Sequence, residues 1–114
     1  MRKERIVKVL KELGLEKADA EVYVFLAKQG PRQSREVALM LNLDEEIIHK
    51  SLKDLQSIEI VKASIEHPFE YEALSFEQVI DIFIEVKKEQ AKTMQENKEE
   101  ILSNWKAIIK KSTK

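Results

Sequence analysis

The stretch that most constrains the fold of this chain covers residues 33–55 and reads QSREVALMLNLDEEIIHKSLKDL. A short helix begins at Gln33 or Ser34, either of which can cap it, and its pattern stops at Asn42-Leu43. A second helix follows, with Asp44 as its cap. Apolar residues recur at helical spacing in both: Val37, Ala38 and Leu41, then Ile47, Ile48, Leu52 and Leu55 on the inner side of the second helix. This spacing predicts a helix-turn-helix, in which the second helix is offered to a partner, usually the major groove of DNA.

Helices precede this pair and a hairpin follows it. The predicted elements are helices over residues 3–13 and 17–29, ended by Gly14 and Gly30-Pro31, and strands over residues 60–65 and 70–74. In the second of these helices, Val22, Phe25 and Leu26 should line the core. Pro68 cannot donate to a strand ladder and falls in the turn between the strands. The predicted fold is therefore mainly α with a small β-hairpin, a winged helix-turn-helix over residues 1–74.

The C-terminal segment, residues 75–114, is predicted to form one long helix from Ser75, which caps it, to about Ser112, a length of about 57 Å at ~1.5 Å per residue. Its far end carries a stripe of large apolar residues, namely Ile101, Leu102, Trp105, Ile108 and Ile109. Burying each is worth ~1.5–3 kcal/mol, so the stripe should be covered. We expect a homodimer in which these helices pack as a coiled coil or against the partner's first helix. Alternatively, the helix breaks near Lys98 and folds back on its own domain.

Composition excludes several classes of protein. The chain has 114 residues, 43% hydrophobic and 36% charged, with no cysteine, as expected of one soluble domain without disulfides or cysteine zinc sites. His49 and His67 have no neighbour at metal-ligand spacing, and phosphate-loop and nucleophile motifs are missing. We therefore expect no metal, no cofactor and no enzyme activity. No apolar run approaches the ~20 residues of a membrane helix, and the N-terminus does not read as a signal peptide, so a cytoplasmic protein is expected.

Several short motifs resemble the winged-helix domain of archaeal TrmB-like transcription regulators over about residues 13–80. They are Leu13-Gly14-Leu15, Ala20-Glu21-Val22-Tyr23, Gly30-Pro31, Arg35-Glu36-Val37-Ala38, Leu52-Lys53-Asp54-Leu55, Val61 and Tyr71. The resemblance implies a DNA-binding dimer with the helix from Asp44 to Gln56 in the major groove and the hairpin on the backbone or minor groove. Larger members carry a C-terminal sugar-binding domain. This chain ends in its long helix, so we expect no such domain.

All but one of the candidate DNA contacts fall into three groups, each with a simpler structural alternative. The start of the first helix of the pair, Arg32, Gln33, Ser34 and Arg35, can hold a phosphate or be a solvated helix end. Lys50 and Lys53 can contact phosphates or pair with Asp54 or Glu46. Glu45, Glu46 and His49 face outward, for base contacts or as solvated and capping residues. Lys62, in the first strand, is the remaining candidate.

The chain departs from the family where DNA would be contacted. Residues 44–74 hold three lysines against eight acidic residues, a net charge of −5, whereas the rest holds 17 basic and 13 acidic residues, a net charge of +4. Glu59 stands where the family usually has glycine. Non-specific DNA affinity comes from neutralising phosphates, and an acidic surface removes that contribution. Two hypotheses remain: a dimeric DNA-binding transcription regulator, or a winged-helix interaction module whose acidic face binds a basic protein partner.

Overall fold

The computed structural model describes residues 2–112, and the side chains of residues 3–110. These residues form six α-helices and one two-stranded antiparallel sheet. The elements in chain order are α1 (Arg2–Glu12), α2 (Lys17–Gln29), α3 (Ser34–Leu41), α4 (Glu45–Ser57), β1 (Val61–Ala63), β2 (Tyr71–Ala73), α5 (Phe76–Glu96) and α6 (Lys98–Ser112). The chain divides into two compact units, residues 1–79 and 80–114. The winged helix-turn-helix fold is confirmed, and the predicted domain boundary after residue 74 stays a prediction.

The core of the first unit is built from α1, α2, α3, α4, the sheet and the start of α5. Its fully buried side chains include Leu10, Val22, Tyr23, Leu26, Val37, Ile48, Leu52, Leu55, Ile60 and Val79. Two predicted core positions are wrong: Phe25 is only half-buried, and Ile47 is 41% exposed. In α2, Tyr23 enters the core instead of Phe25. In α4, Ile48, Leu52 and Leu55 already form the buried face, and Ile47 precedes Ile48 by one residue, about 100° around the helix.

The hairpin is shorter than predicted, and a third segment joins it. Lys62 of β1 lies opposite Glu72 of β2. Beyond the strands, Arg32 pairs with Tyr71 through two backbone hydrogen bonds, of 3.1 Å from the Arg32 N–H and 2.8 Å from the Tyr71 N–H. The segment between α2 and α3 is thereby fixed against β2. We call residues 61–73 the wing.

In the part of the chain that the structure describes, two residues other than glycine have a positive φ. Asn42 has φ 55° in the turn after α3, and Glu59 has φ 65° just after α4. Asparagine tolerates this left-handed conformation, whereas glutamate adopts it at a cost of roughly 1–2 kcal/mol. The Glu59 conformation gives a physical reason for the glycine that the resemblance leads one to expect there.

The C-terminal segment is helical as predicted, and Asn97 divides it into two consecutive helices, α5 and α6. Ser75 caps α5 as predicted, since its Oγ accepts a 3.2 Å hydrogen bond from the Gln78 backbone N–H. Asn97 separates α5 from α6, near the predicted alternative break point, although the Ile101 N–H still donates to the Asn97 carbonyl at 2.9 Å. Asparagine favours helix ends because its side chain competes for backbone hydrogen bonds. Within residues 2–112, no helix is long and apolar enough to cross a membrane.

Candidate nucleic-acid interface

The turn between α3 and α4 sets the direction of α4, which we call the recognition helix. Left-handed Asn42 ends α3, and the Leu43 N–H donates a 3.0 Å hydrogen bond back to the Ala38 carbonyl. Asp44 stands at the predicted cap position in an extended conformation, but its side chain makes no capping hydrogen bond. Glu45 and Glu46 occupy the first turn, where negative charge is favoured by the helix dipole. Both side chains are exposed.

The start of α3 is well ordered by local hydrogen bonds. Gln33 is the N-cap residue, and its backbone N–H donates a 2.8 Å hydrogen bond to the Glu36 carboxylate. The Arg32 guanidinium donates to the Pro31 carbonyl at 2.7 Å. Arg35 is exposed, and within the described side chains it takes part in no salt bridge. Its guanidinium is therefore available for an anion.

A hydrogen bond joins the start of α3 to the recognition helix. His49 Nε2 lies 3.1 Å from Ser34 Oγ, and the same nitrogen is 3.9 Å from the Glu45 carboxylate. The structure thus brings together three of the predicted DNA contacts from separate places in the sequence. Because Glu45 and His49 are exposed and Ser34 is only partly buried, the contact joins the two helices at the protein surface.

Lys50 joins the recognition helix to the start of α2. Its Nζ lies 3.0 Å from Asp54 Oδ2 and 3.4 Å from Glu16 Oε1. Hydrogen bonds to Asp54 and to Glu16 raise the pKa of Lys50. The pairing with Asp54 is one of the two sequence alternatives, whereas Glu16, from 34 residues earlier, was not expected. Lys50 is thus a surface ion-pair partner, and its charge is already matched.

Three carboxylates lie together beside Lys50. Oxygen atoms of Glu16, Asp19 and Asp54 lie within 4.8 Å of one another, which is a spacing that a metal ion could use. Asp19 is 7% exposed, and burial raises the pKa of its carboxyl, which a hydrogen bond from Ser51 opposes. The Lys50 ammonium group bonds to two of the three carboxylates and so supplies the positive charge that the cluster needs. Sequence reasoning missed this cluster because its members come from two helices.

The remaining DNA-contact candidates, Lys53 and Lys62, are exposed on the recognition helix and on the wing. Within the described side chains, neither takes part in a salt bridge. Lys62 nevertheless lies opposite Glu72 across the strand pair, so an acid stands next to the only lysine of the wing. Of these two lysines, Lys62 is therefore the one whose positive charge is partly balanced by an acid opposite it.

The wing tip is acidic and apolar. Ser64 closes the turn, because its Oγ accepts a 2.9 Å hydrogen bond from the Glu70 N–H. The rings of His67 and Phe69 are 3.9 Å apart across a cis His67–Pro68 peptide bond, and Ile65 is 96% exposed. Lysine and arginine are missing from residues 63–74. The tip therefore lacks the positive charge with which proteins bind DNA phosphates.

In the second unit, the predicted dimer-interface residues line the surface of α6. Ile101, Leu102, Trp105, Ile108 and Ile109 are between 42% and 59% exposed. Residues three and four apart on a helix share a face, so these five positions form one apolar stripe. Such a stripe on a single helix is a surface that a partner would cover.

Comparison with known proteins supports the winged helix-turn-helix domain described above. The family described as "Sugar-specific transcriptional regulator TrmB" matches residues 10–77, well over half of the chain. No curated protein sequence matches this chain. The archaeal chromatin protein TrmBL2, whose structure shows "a novel mode of DNA binding", is similar, with a TM-score of 0.82 and 23% identity. The match covers 91% of this chain but only 40% of TrmBL2.

Two further archaeal structures share the fold. A possible transcriptional regulator from Methanosarcina mazei Go1 has a TM-score of 0.66 at 22% identity, covering 85% of this chain and 86% of that protein. The ST1889 protein from Sulfolobus tokodaii has a TM-score of 0.66 at 18% identity, covering 82% and 98%. At these identities the likeness establishes the fold, and the sequence match to the family carries the assignment. The chain belongs to the TrmB family of winged-helix transcriptional regulators.

Proposed function

We propose that this protein regulates transcription as a homodimer that binds duplex DNA through its recognition helix. The observation that carries the proposal is the family match over residues 10–77, which spans the whole helix-turn-helix and the wing. The exposed face of α4 supports it, because Glu45, Glu46 and His49 are solvent-accessible and the opposite face is buried in the core. A helix held in this way can enter the major groove without unfolding its domain.

Phosphate binding is assigned to the start of α3. Arg35 has an exposed guanidinium and no salt-bridge partner among the described side chains, and Arg32 lies three residues before it. The first turn of a helix also has backbone N–H groups that attract anions. Arg35 therefore positions the domain on the backbone, and Lys53 adds a second charge from the recognition helix.

Base recognition is assigned to the first turns of α4. Carboxylates accept hydrogen bonds from the cytosine amino group in the major groove, which Glu45 or Glu46 can do there. His49 lies next to them and can donate or accept a hydrogen bond with a base edge. Because carboxylates are repelled by phosphates, these contacts favour particular sequences more than they raise affinity.

Dimerisation is assigned to the apolar stripe of α6. Covering five large side chains that are between 42% and 59% exposed would stabilise a dimer. Two winged helices joined in this way would read half-sites about one helical turn, ~34 Å, apart. Each protomer alone would bind only one half-site, so DNA affinity depends on the dimer.

The acidic charge of the recognition helix and the wing favours a second candidate function, docking to a basic protein. Residues 44–74 carry eight acidic side chains against three lysines, and Ile65 at the wing tip is 96% exposed. An acidic surface that also exposes Ile65 is complementary to a protein surface that carries positive charge around an apolar pocket. This candidate predicts almost no affinity for duplex DNA.

Fluorescence anisotropy with a labelled random-sequence duplex tests the two candidates directly. The titration is run at several salt concentrations, and sedimentation records the oligomeric state in the same buffers. A DNA-binding regulator gives an affinity that falls steeply as salt rises. A dimer that shows no binding even at low salt rejects DNA as the partner and supports the basic protein.

A further inference from the structure

His49 stands among acidic residues at the exposed start of the recognition helix. Its side chain is 57% exposed, and the side chain of Glu45, one helical turn before it, is 52% exposed. Residues 45–49 contain two glutamates and no lysine or arginine. Histidine is the side chain whose charge ordinarily changes between about pH 5 and pH 8. Protonation of His49 is therefore the one way in which residues 45–49 can acquire a positive charge near neutral pH.

The contacts of the His49 ring are compatible with its charged form. Nε2 lies 3.1 Å from Ser34 Oγ and 3.9 Å from the Glu45 carboxylate. A protonated imidazole carries N–H groups on both nitrogens, so Nε2 can then donate to the Ser34 hydroxyl while its charge offsets that of Glu45. The link between α3 and α4 is thus preserved when His49 gains a proton.

The other charged groups around the recognition helix are not paired with His49. The elements that pack against α4 are α2, α3 and β1. Charged residues on α3 and β1 are Arg35, Glu36 and Lys62, those at the start of α2 that contact α4 are Glu16 and Asp19, and α4 itself adds Glu45, Glu46, Lys50, Lys53 and Asp54. Within the described side chains, Glu45 alone forms an ion pair with His49. Glu45 is therefore the charge that protonation of His49 offsets.

We infer that binding of duplex DNA is coupled to the uptake of a proton by His49, so that affinity increases as the pH falls. This inference rests on the proposed function, in which the first turns of α4 enter the major groove. DNA phosphates attract positive charge and repel the carboxylates of Glu45 and Glu46. A protonated His49 reduces this repulsion. Because the complex then holds the proton more strongly than the free protein does, linkage requires tighter binding at lower pH.

The test is an anisotropy titration of a labelled random-sequence duplex with the full chain at about pH 8 and about pH 6, at one salt concentration. Uptake of one proton changes affinity by at most about tenfold per pH unit, and we expect roughly fivefold tighter binding at the lower pH. His49→Gln keeps a side chain that can hydrogen-bond to Ser34 but does not titrate. Its affinity should differ by less than about twofold between the two pH values.

Calorimetry of the same binding reaction counts the proton directly. The titration is repeated near neutral pH in two buffers with different enthalpies of ionisation, since the heat then differs by the number of protons taken up. We expect about half a proton per protomer for the unmodified protein and close to none for His49→Gln. Circular dichroism at both pH values should show an unchanged fold, because the His49 side chain is exposed.

The matched control is His67→Gln, which removes the other histidine of the chain. His67 lies at the wing tip against the Phe69 ring, outside the residues assigned to DNA, so this variant should keep the full pH dependence. Equal affinities of the unmodified protein at the two pH values, or a pH dependence that survives His49→Gln or is lost in His67→Gln, overturn the proton coupling while the proposed function stands. If the protein binds no duplex at either pH, the proposed function fails and this inference fails with it.

Discussion

The hydroxyl group of Tyr23 donates a 2.7 Å hydrogen bond to the carbonyl oxygen of Leu74, 51 residues further along the chain. Tyr23 is 1% exposed, and burial raises the pKa of its hydroxyl to about 12. Leu74 immediately follows β2, and its own N–H donates to the Ile60 carbonyl at 3.0 Å. One side chain of α2 therefore fixes the position at which the chain leaves β2, at the end of the wing.

Replacing Tyr23 with phenylalanine should destabilise the fold, because the Leu74 carbonyl loses its side-chain donor inside a well-packed region. We expect the free energy of unfolding in urea to fall by about 1–2 kcal/mol. Tyr71→Phe is the matched control, since no hydrogen bond involves the Tyr71 hydroxyl among the described residues. An equal loss in both variants would mean that the Tyr23 hydrogen bond adds no stability.

Replacing Glu59 with glycine should stabilise the fold. Glu59 has φ 65°, a conformation that glycine adopts freely and glutamate does not, so we expect a gain of about 1 kcal/mol in urea denaturation. Glu59→Gln controls for the lost charge, because it keeps the strained backbone. If glutamine stabilises the protein as much as glycine does, electrostatic repulsion and not backbone strain explains the gain.

Most of the fold was predictable because its determinants are local. Gly14, Gly30-Pro31, Asn42 and Ser75 mark helix ends through backbone preferences that do not depend on the rest of the chain. Such preferences predicted the winged helix. The break at Asn97 was harder to predict, because the hydrogen bond from the Ile101 N–H continues the helical pattern across it.

The candidate site was less predictable because its contacts join distant segments. The Arg32–Tyr71 backbone pair and the Lys50–Glu16 contact span 39 and 34 residues, and no local pattern records either. Ile47 was also wrongly predicted to lie on the buried face of α4. Four apolar residues in this helix are compatible with more than one choice of buried face. The pairing of Lys50 with Asp54 was predictable, because residues four apart on a helix are neighbours.

Reversing the charge of Arg35 should weaken DNA binding for all sequences. Arg35 is assigned to the phosphate backbone, so Arg35→Glu should lower affinity about tenfold or more for random and selected duplexes alike. Arg35→Lys preserves the charge and should retain most of the affinity. Anisotropy titrations measure both variants. Unchanged affinity in Arg35→Glu would remove this residue from the interface.

Placing a charge in the α6 stripe should dissociate the dimer. Ile108→Glu would bury an unpaired carboxylate in the apolar contact, and we expect a dimer dissociation constant at least about 100-fold higher in sedimentation. Lys106→Glu tests the same helix outside the stripe and should remain dimeric. A dimer that withstands Ile108→Glu would place the interface elsewhere in the chain.

The most direct test of the proposed function is the selection of fragmented genomic duplex DNA by the purified protein at two salt concentrations. The oligomeric state is recorded in the same buffers. We predict retention of a small set of fragments by the dimer, weaker binding at higher salt, and a changed set of fragments for Glu46→Ala. No retention at either salt concentration, with the dimer intact, would contradict DNA recognition by this acidic helix.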